Sequence, residues 1–217
     1  MPALSTYITR TRRLLTDANG TYYSDAELTD YINTGRNRVA LDTACLRSLQ
    51  TVTLTSGTET YAVPSSTSLL TRAIDVVNII VLWGNQRVPL LQMVWTEFQA
   101  NLRVWANFQN MPAAYSKFGG PLGSIYIGPV PNQDYTSYWD VLYVPAALVD
   151  DNSTDELAYP YDTPVPFYAA YLAKFKEQNY GESNLFELQY RQQAAFAISG
   201  SYTRVLPNVY GYPQRSW

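Results

Sequence analysis

The chain contains no histidine and only one cysteine, Cys45, among its 217 residues. The absence of histidine excludes a Ser-His-Asp triad, a Cys-His pair and a metal site with histidine ligands. A single cysteine can form neither an internal disulfide nor a four-cysteine zinc site. Because Cys45 falls in a helical pattern, we predict a small buried residue there rather than a nucleophile. We therefore expect no metal ion and no cofactor.

Charged residues are also scarce, at 15% of the chain, against roughly a quarter in an average soluble protein. The net charge is −3 and the pI is about 4.9, whereas a nucleic-acid-binding domain commonly has a pI above about 9. No apolar run approaches the roughly 20 residues of a membrane helix. The first residues carry no apolar block after their charges, so we expect no secretory signal and no membrane contact.

Aromatic side chains, in contrast, are abundant: the chain has 19 tyrosines, 5 tryptophans and 7 phenylalanines. Tyr and Trp anchor protein interfaces because they bury a large area with little loss of side-chain freedom. Few charges and many tyrosines together predict a surface that other subunits cover. A tyrosine-rich β domain without such a surface is the alternative.

Helical patterns stand at both ends of the chain. Apolar residues at helical spacing predict a helix over 3–16. The sequence from Ser24 to Glu27 is a capping box that opens a second helix, in which Gly35 predicts a close helix crossing. Two further helices are predicted after Pro164, the last one beginning near Ser183.

The middle of the chain has the two-residue period of β-strands. It predicts a hairpin over 50–64 that turns at Ser56-Gly57, and a second hairpin in which 73–83 pairs with 87–91. Three more strands are predicted at 114–118, 124–128 and 137–144. One helix interrupts them, at 94–108, with Trp95, Phe98, Leu102 and Trp105 on one face.

The predicted fold class is α+β, because each amphipathic terminal helix must bury its apolar stripe and the other terminal helices are available to cover it. We expect residues 1–49 and 164–200 to form a helical bundle. Residues 50–163 would form an inserted antiparallel β-rich domain, and 201–217 a C-terminal arm. The stretch 145–163, with five acidic residues and no basic one, is expected to be an exposed crossing segment.

Several segments, taken in order, resemble the head-to-tail adaptor (connector, or neck) proteins of tailed bacteriophages. These segments are 23–28, 33–38, 54–64, 72–76, 125–131, 143–145 with Leu148, 150–151, and 164–171. No single segment is diagnostic, but their order and spacing together are more specific. The last stretch, 200–217, lies outside the shared pattern.

The resemblance implies a structural virion protein of the neck, without catalytic activity, that is assembled in the host cytoplasm. Such adaptors form a ring, commonly twelve-fold, beneath the portal protein. The ring extends the DNA channel, takes part in genome ejection and provides the attachment platform for the next tail or nozzle protein. DNA would pass through without specific binding, which the negative charge favours because binding grows with each phosphate neutralised.

Two candidate sites follow from this interpretation. The C-terminal arm is the candidate portal-docking segment, with apolar anchors and two arginines; an arm folded back on its own domain is the alternative. Its residues are Tyr202, Arg204, Val205, Leu206, Tyr210, Tyr212, Arg215 and Trp217. An acidic loop that faces the ring lumen or the tail is the second candidate, against a solvated loop without a role. It comprises Asp150, Asp151, Asp155 and Glu156.

Other functions remain open at this level. A tail-completion or stopper protein would share much of the same composition. A carbohydrate-binding or receptor-binding β module could use exposed Trp and Tyr to stack on sugars, although the flanking helices argue against it. Carboxylate pairs such as Asp150 with Asp155, or Asp140 with Glu156, could in principle cleave a glycan, but sequence does not give their separation.

Overall fold

The computed structural model describes residues 1–62, 72–103, 108–119 and 123–202, with side chains up to Ser199. The chain divides into two compact units. Residues 1–43 and the chain from 147 onward form the helical unit, and residues 44–146 form the β unit. Helices at both ends of the chain flank a region of sheets, so the predicted α+β class is confirmed. None of the described helices is long and apolar enough to span a membrane.

The unit limits differ from the predicted domain limits of 49/50 and 163/164. The segment 147–163 belongs to the helical unit because backbone bonds attach it to the first residues of the chain. The amide of Leu4 donates to the carbonyl of Ser153 (3.2 Å), and the amide of Asp155 donates to the carbonyl of Pro2 (3.0 Å). At the other limit, the first strand already begins at Arg47.

The helices of the helical unit lie close to their predicted positions, whereas the helix predicted over 94–108 ends at Leu102 within the described residues. Cys45 follows the end of the second helix and is half-buried, so its predicted helical, buried position is wrong. The last helix begins three residues before Ser183, so Gly181 lies in its first turn. The helices of the helical unit are α1 (Leu4–Leu14), α2 (Asp25–Thr43), α4 (Val165–Lys176) and α5 (Tyr180–Tyr202). The β unit contains α3 (Trp95–Leu102).

Half of the predicted capping box is present at the start of α2. The amide of Glu27 donates to the Ser24 hydroxyl oxygen at 3.2 Å. The Glu27 carboxylate accepts instead from the ammonium of Lys176 (2.6 Å) and the hydroxyl of Tyr31 (2.8 Å). These two bonds hold the pKa of Glu27 below its usual value, the Lys176 bond most strongly. The start of α2 is therefore tied to the end of α4.

Gly35 lies where α2 crosses α4, as predicted. A Cβ atom at this position would lie 3.2 Å from the carbonyl oxygen of Val165 and 3.4 Å from Cβ of Tyr168. Both contacts are tight for a carbon atom, so glycine allows the two helix backbones to approach. The crossing brings the middle of α2 against the first turn of α4.

Two four-stranded sheets form most of the β unit. One has the order β1-β10-β3-β4 and is antiparallel throughout, and the other has the order β2-β8-β7-β5, in which β5 runs parallel to β7. Strands β6 and β9 form a small parallel pair. The described strands are β1 (Arg47–Leu54), β2 (Thr60–Tyr61), β3 (Ala73–Trp83), β4 (Gln86–Pro89), β5 (Leu91–Gln92), β6 (Gln109–Asn110), β7 (Ala114–Phe118), β8 (Ser124–Gly128), β9 (Val130–Pro131) and β10 (Tyr135–Tyr143).

The hairpin predicted over 50–64 is wrong. The turn exists, since the amide of Thr58 donates to the carbonyl of Thr55 (3.1 Å) and Gly57 has φ of 75°. However, β1 pairs with β10 and β2 pairs with β8, so the turn carries the chain from one sheet to the other. Alternating hydrophobicity reveals a strand but not its partner. The second predicted hairpin is confirmed, with Trp83 opposite Gln86.

The core of the β unit lies between the two sheets and is centred on Trp139. This side chain is fully buried, and its indole N–H donates to the hydroxyl oxygen of Ser137 at 2.9 Å. The Ser137 hydroxyl in turn donates to the carbonyl of Val52 (2.7 Å), so the only polar atom of the indole is satisfied. Other members of the core come from both sheets, among them Val76, Ile79, Val81, Tyr115, Ile125 and Ile127.

Candidate functional site

Helix α5 has apolar residues on two opposite faces. The inner face is buried and consists of Tyr190 and small residues such as Ala194 and Ala197. The opposite side, here called the α5 outer face, carries Leu185, Leu188 and Phe196, whose exposed fractions are 63%, 51% and 61%. A surface helix of a monomer normally has polar residues on its solvent side. This second apolar face is typical of a helix that another protein covers.

A row of five aromatic rings is formed by side chains of α4 and α5. Successive ring centroids are 5.0 to 5.9 Å apart, spacings typical of interacting aromatic pairs. The row begins at Tyr190, which is buried, and ends at Phe175 and Tyr180, which are half exposed. Its members in order are Tyr190, Tyr168, Tyr171, Phe175 and Tyr180.

The buried end of this aromatic row is fixed by polar contacts. The Tyr190 hydroxyl donates to the Asp42 carboxylate at 2.7 Å, and Arg38 pairs with the same carboxylate at 3.0 Å. Burial, followed by the bond and charge of Asp42, raises the pKa of Tyr190 above its ordinary value. Burial likewise raises the pKa of Tyr168. Both of these hydroxyls therefore stay protonated.

The β unit has an aromatic cluster of its own on α3, β7 and β8. The ring of Trp95 lies 4.5 Å from that of Tyr126 and 4.7 Å from that of Phe118. The Arg103 guanidinium lies over Trp95 (5.5 Å) and Tyr126 (5.2 Å) and pairs with Glu59. Tryptophan, tyrosine and arginine are the residues enriched at the centres of protein interfaces. Phe98 is buried, and Trp105 lies outside the described residues.

The acidic segment is exposed only in part. Asp150 and Asp151 are exposed and Glu156 is half-buried, but Asp155 and Asp162 are buried. Exposure of the whole segment, predicted from its charge, is therefore wrong for these last two. Each has a cationic partner on a terminal helix, and a paired carboxylate can be buried where an isolated one cannot. The partner of Asp162 is Arg10, at 3.2 Å.

Asp155 lies at the centre of a buried network in the helical unit. One carboxylate oxygen accepts from the Arg36 guanidinium (2.5 Å) and the amide of Leu157 (3.1 Å), and the other accepts from the Tyr7 hydroxyl (2.6 Å). Burial, and next the nearby charge of Asp155, raise the pKa of Tyr7, which keeps its hydroxyl a donor. Asp155 is thus fully engaged and unavailable as half of a glycan-cleaving pair.

Sequence reasoning assigned no role to Arg36 or Asn33. Asn33 accepts from Arg36 (2.9 Å) and exchanges two hydrogen bonds with the backbone of Leu148 (3.0 and 2.9 Å). The sequence does indicate that Arg36 is buried. It follows the apolar Ile32 by four residues and so lies on the buried face of α2. An arginine on a buried helical stripe predicts a buried acidic partner.

A family model described as SU10 adaptor protein matches residues 2–211. The chain belongs to the SU10 adaptor protein family. This confirms the resemblance to phage head-to-tail adaptors, and it makes the chain a phage adaptor protein, of a structural family whose place is the virion neck. No curated protein sequence matches the chain. The match extends to residue 211, so the expectation that 200–217 lies outside the shared pattern is wrong for most of that stretch.

The two sites predicted for the adaptor are the C-terminal arm and the acidic loop. Tyr202 is the last residue of α5, and the remaining arm residues, from 203 to 217, lie outside the described residues. Portal docking by the arm therefore stays a prediction. A ring-facing or tail-facing role also stays a prediction for the acidic loop, in which Asp150 and Asp151 are the exposed members. In the described part of the adaptor, no group of three or more acidic or cysteine side chains could hold a metal ion.

Proposed function

We propose that the adaptor assembles into a ring beneath the portal protein, extends the DNA channel and provides the platform for the next tail or nozzle protein. It performs no catalysis in this role. The observation that carries the proposal is the α5 outer face, where Leu185, Leu188 and Phe196 are exposed in the single chain.

A ring closes when one surface of each copy meets a different surface of its neighbour. A stable contact buries about 800 Å² of each partner, and large apolar side chains supply most of its energy. Leu185, Leu188 and Phe196 offer an apolar centre for such a contact. The aromatic cluster of the β unit offers a second surface of suitable chemistry. A twelve-fold ring, common among such adaptors, would present each surface many times.

The other proposed partners follow from the position of the ring. The portal would contact it above, the next tail or nozzle protein below, and DNA would pass through the channel without specific binding. The net charge of −3 supports free passage, because a wall rich in cations would bind each phosphate it neutralised. Assembly would take place in the host cytoplasm, before the tail is completed.

Electron microscopy of the purified adaptor mixed with portal tests this proposal. We expect wild-type adaptor to form a ring stacked on the portal. The double substitution Leu188→Glu with Phe196→Glu should abolish the ring without unfolding the chain, because both side chains are exposed and the new charges would be buried between copies.

The matched control adds the same two charges to α1, at the exposed residues Ser5 and Thr6. Ser5→Glu with Thr6→Glu should leave the ring intact. If wild-type adaptor does not associate with portal, the ring proposal is wrong. If the α5 double variant forms the same ring, assembly uses another surface.

Deletion of residues 201–217 tests the docking arm separately. We propose that this arm attaches the ring to the portal, each arm weakly and many arms together strongly. The truncated adaptor should keep its thermal unfolding midpoint but no longer sediment with portal particles. Normal attachment of the truncated adaptor would refute the arm proposal and favour a segment folded back on its own unit.

A further inference from the structure

The two four-stranded sheets of the β unit end in four edge strands: β1, β4, β2 and β5. An edge strand exposes backbone groups that can pair with another chain, and natural proteins protect such edges. Strands β2 and β5 have only two residues each, and short length is one such protection. Strand β4 has four residues, carries Arg87 and ends at Pro89. Three of the four edges are therefore protected.

Strand β1 has none of these protections. It is eight residues long, and all eight pair in continuous register with β10 without a bulge. Residues 48–54 contain neither charge nor proline. The one charged residue, Arg47, is engaged with Asp140 of the neighbouring strand. Leu49 is 63% exposed, and Thr51 and Thr53 are exposed as well.

The outward backbone groups of β1 can be assigned from its register. The amide of Tyr143 donates to the carbonyl of Leu46 at 3.1 Å. In an antiparallel pair the direction of the backbone groups alternates, so even-numbered residues bond to β10. Leu49, Thr51 and Thr53 then direct their N–H and C=O groups away from β10. Among the described strands, none lies on that side of β1.

We propose that this edge pairs with β1 of a second copy of the chain, antiparallel and centred near Thr51. The edge is complementary to itself. Thr51 would lie beside its own counterpart, and Leu49 beside Thr53, with two backbone hydrogen bonds in each of the three pairs. Threonine pairs across strands are favourable, and no like charges meet. A charged residue at position 51 would face its own counterpart, and like charges directly opposite each other are unfavourable.

This contact is distinct from the ring contact. It has two-fold symmetry and closes after two copies, whereas a ring needs two different surfaces. The pairing therefore describes the free adaptor before assembly. Its consequence is protection, because a dimer covers an edge that would otherwise be free to pair with strands of other proteins.

Sedimentation of the purified chain over a range of concentrations tests the pairing. Wild type should have twice the monomer mass of 24.5 kDa. Thr51→Lys and Thr51→Glu should each shift the mass to that of the monomer, because like charges would face each other. An equimolar mixture of the two variants should restore the dimer, since the facing charges are then opposite.

The matched control is Thr136→Lys, which places the same charge on the same face of β10, opposite Thr53 but away from the edge. This variant should remain dimeric, with the same circular dichroism spectrum as the others. A monomeric wild type at every concentration overturns the proposal, as does a dimer that survives Thr51→Lys or a mixture that stays monomeric. If Thr51→Lys still forms rings on portal, the adaptor role is intact. The sedimentation result therefore tests the pairing proposal, and ring formation on portal tests the ring proposal separately.

Discussion

Replacement of Asp155 by alanine is expected to lower the free energy of unfolding by about 3–5 kcal/mol, the usual cost of removing one partner from a buried ion pair. The side chains of Arg36 and Asp155 are 1% and 0% exposed. Without the carboxylate, the buried guanidinium loses its ion pair with Asp155.

The same substitution removes two further bonds. The Tyr7 hydroxyl and the amide of Leu157 both donate to Asp155, and both would be left without this acceptor in a buried position. The Tyr7 bond, together with the Arg36 pair, attaches the segment 147–163 to α1 and α2. We therefore expect the segment to loosen from the helices as well as the unit to lose stability.

Urea unfolding followed by circular dichroism measures this effect, with Asp150→Ala as the matched control. Asp150 is exposed and five residues away in the same acidic segment, and surface substitutions of this kind usually change stability by less than about 0.5 kcal/mol. A loss below about 1 kcal/mol for Asp155→Ala would show that the buried network does not stabilise the helical unit.

Substitution of Trp139 by alanine should destabilise the β unit by about 3–5 kcal/mol, because it empties the centre of the core between the two sheets. The indole is fully buried and has an edge contact with Tyr61, at 6.4 Å between ring centroids. Its loss also leaves the Ser137 hydroxyl oxygen without the indole N–H that it accepts. Ser137 is buried, so this polar atom adds to the cost.

Thermal and urea unfolding of Trp139→Ala should be compared with Trp83→Ala. The control removes the same side chain from the same sheet, but Trp83 is 54% exposed. We expect it to change the free energy of unfolding by less than about 0.5 kcal/mol. Similar losses for the two variants would show that Trp139 does not have the central role inferred from its burial.

The helices could be predicted from sequence because their signals are local. A capping residue, a glycine at a crossing and an apolar stripe all lie within a few turns of one another. The partner of β1 could not be predicted, because β1 and β10 are separated by most of the β unit. The turn at Gly57 was correctly placed, but a turn does not show whether the strands on either side pair or enter different sheets.

The candidate surfaces were only partly predictable. The abundance of tyrosine and tryptophan indicated a covered surface, but not its location on α5 and along α4. Helix α5 is apolar on opposite sides, and a sequence pattern alone does not show which side faces its own unit. Arg36 and Asp155 are 119 residues apart, a separation at which spacing carries no information about contact.

The division of the chain also determines the order in which its parts are synthesised. Residues 44–146 are contiguous, whereas the helical unit combines residues 1–43 with the chain from 147 onward. On the ribosome, α1 and α2 emerge first but have neither α4 nor the acceptor Asp155 to pack against. The sandwich of sheets is complete before those partners exist. Domains fold as units during translation. The helical unit, which contains the first residues of the chain, is therefore the last to complete its folding.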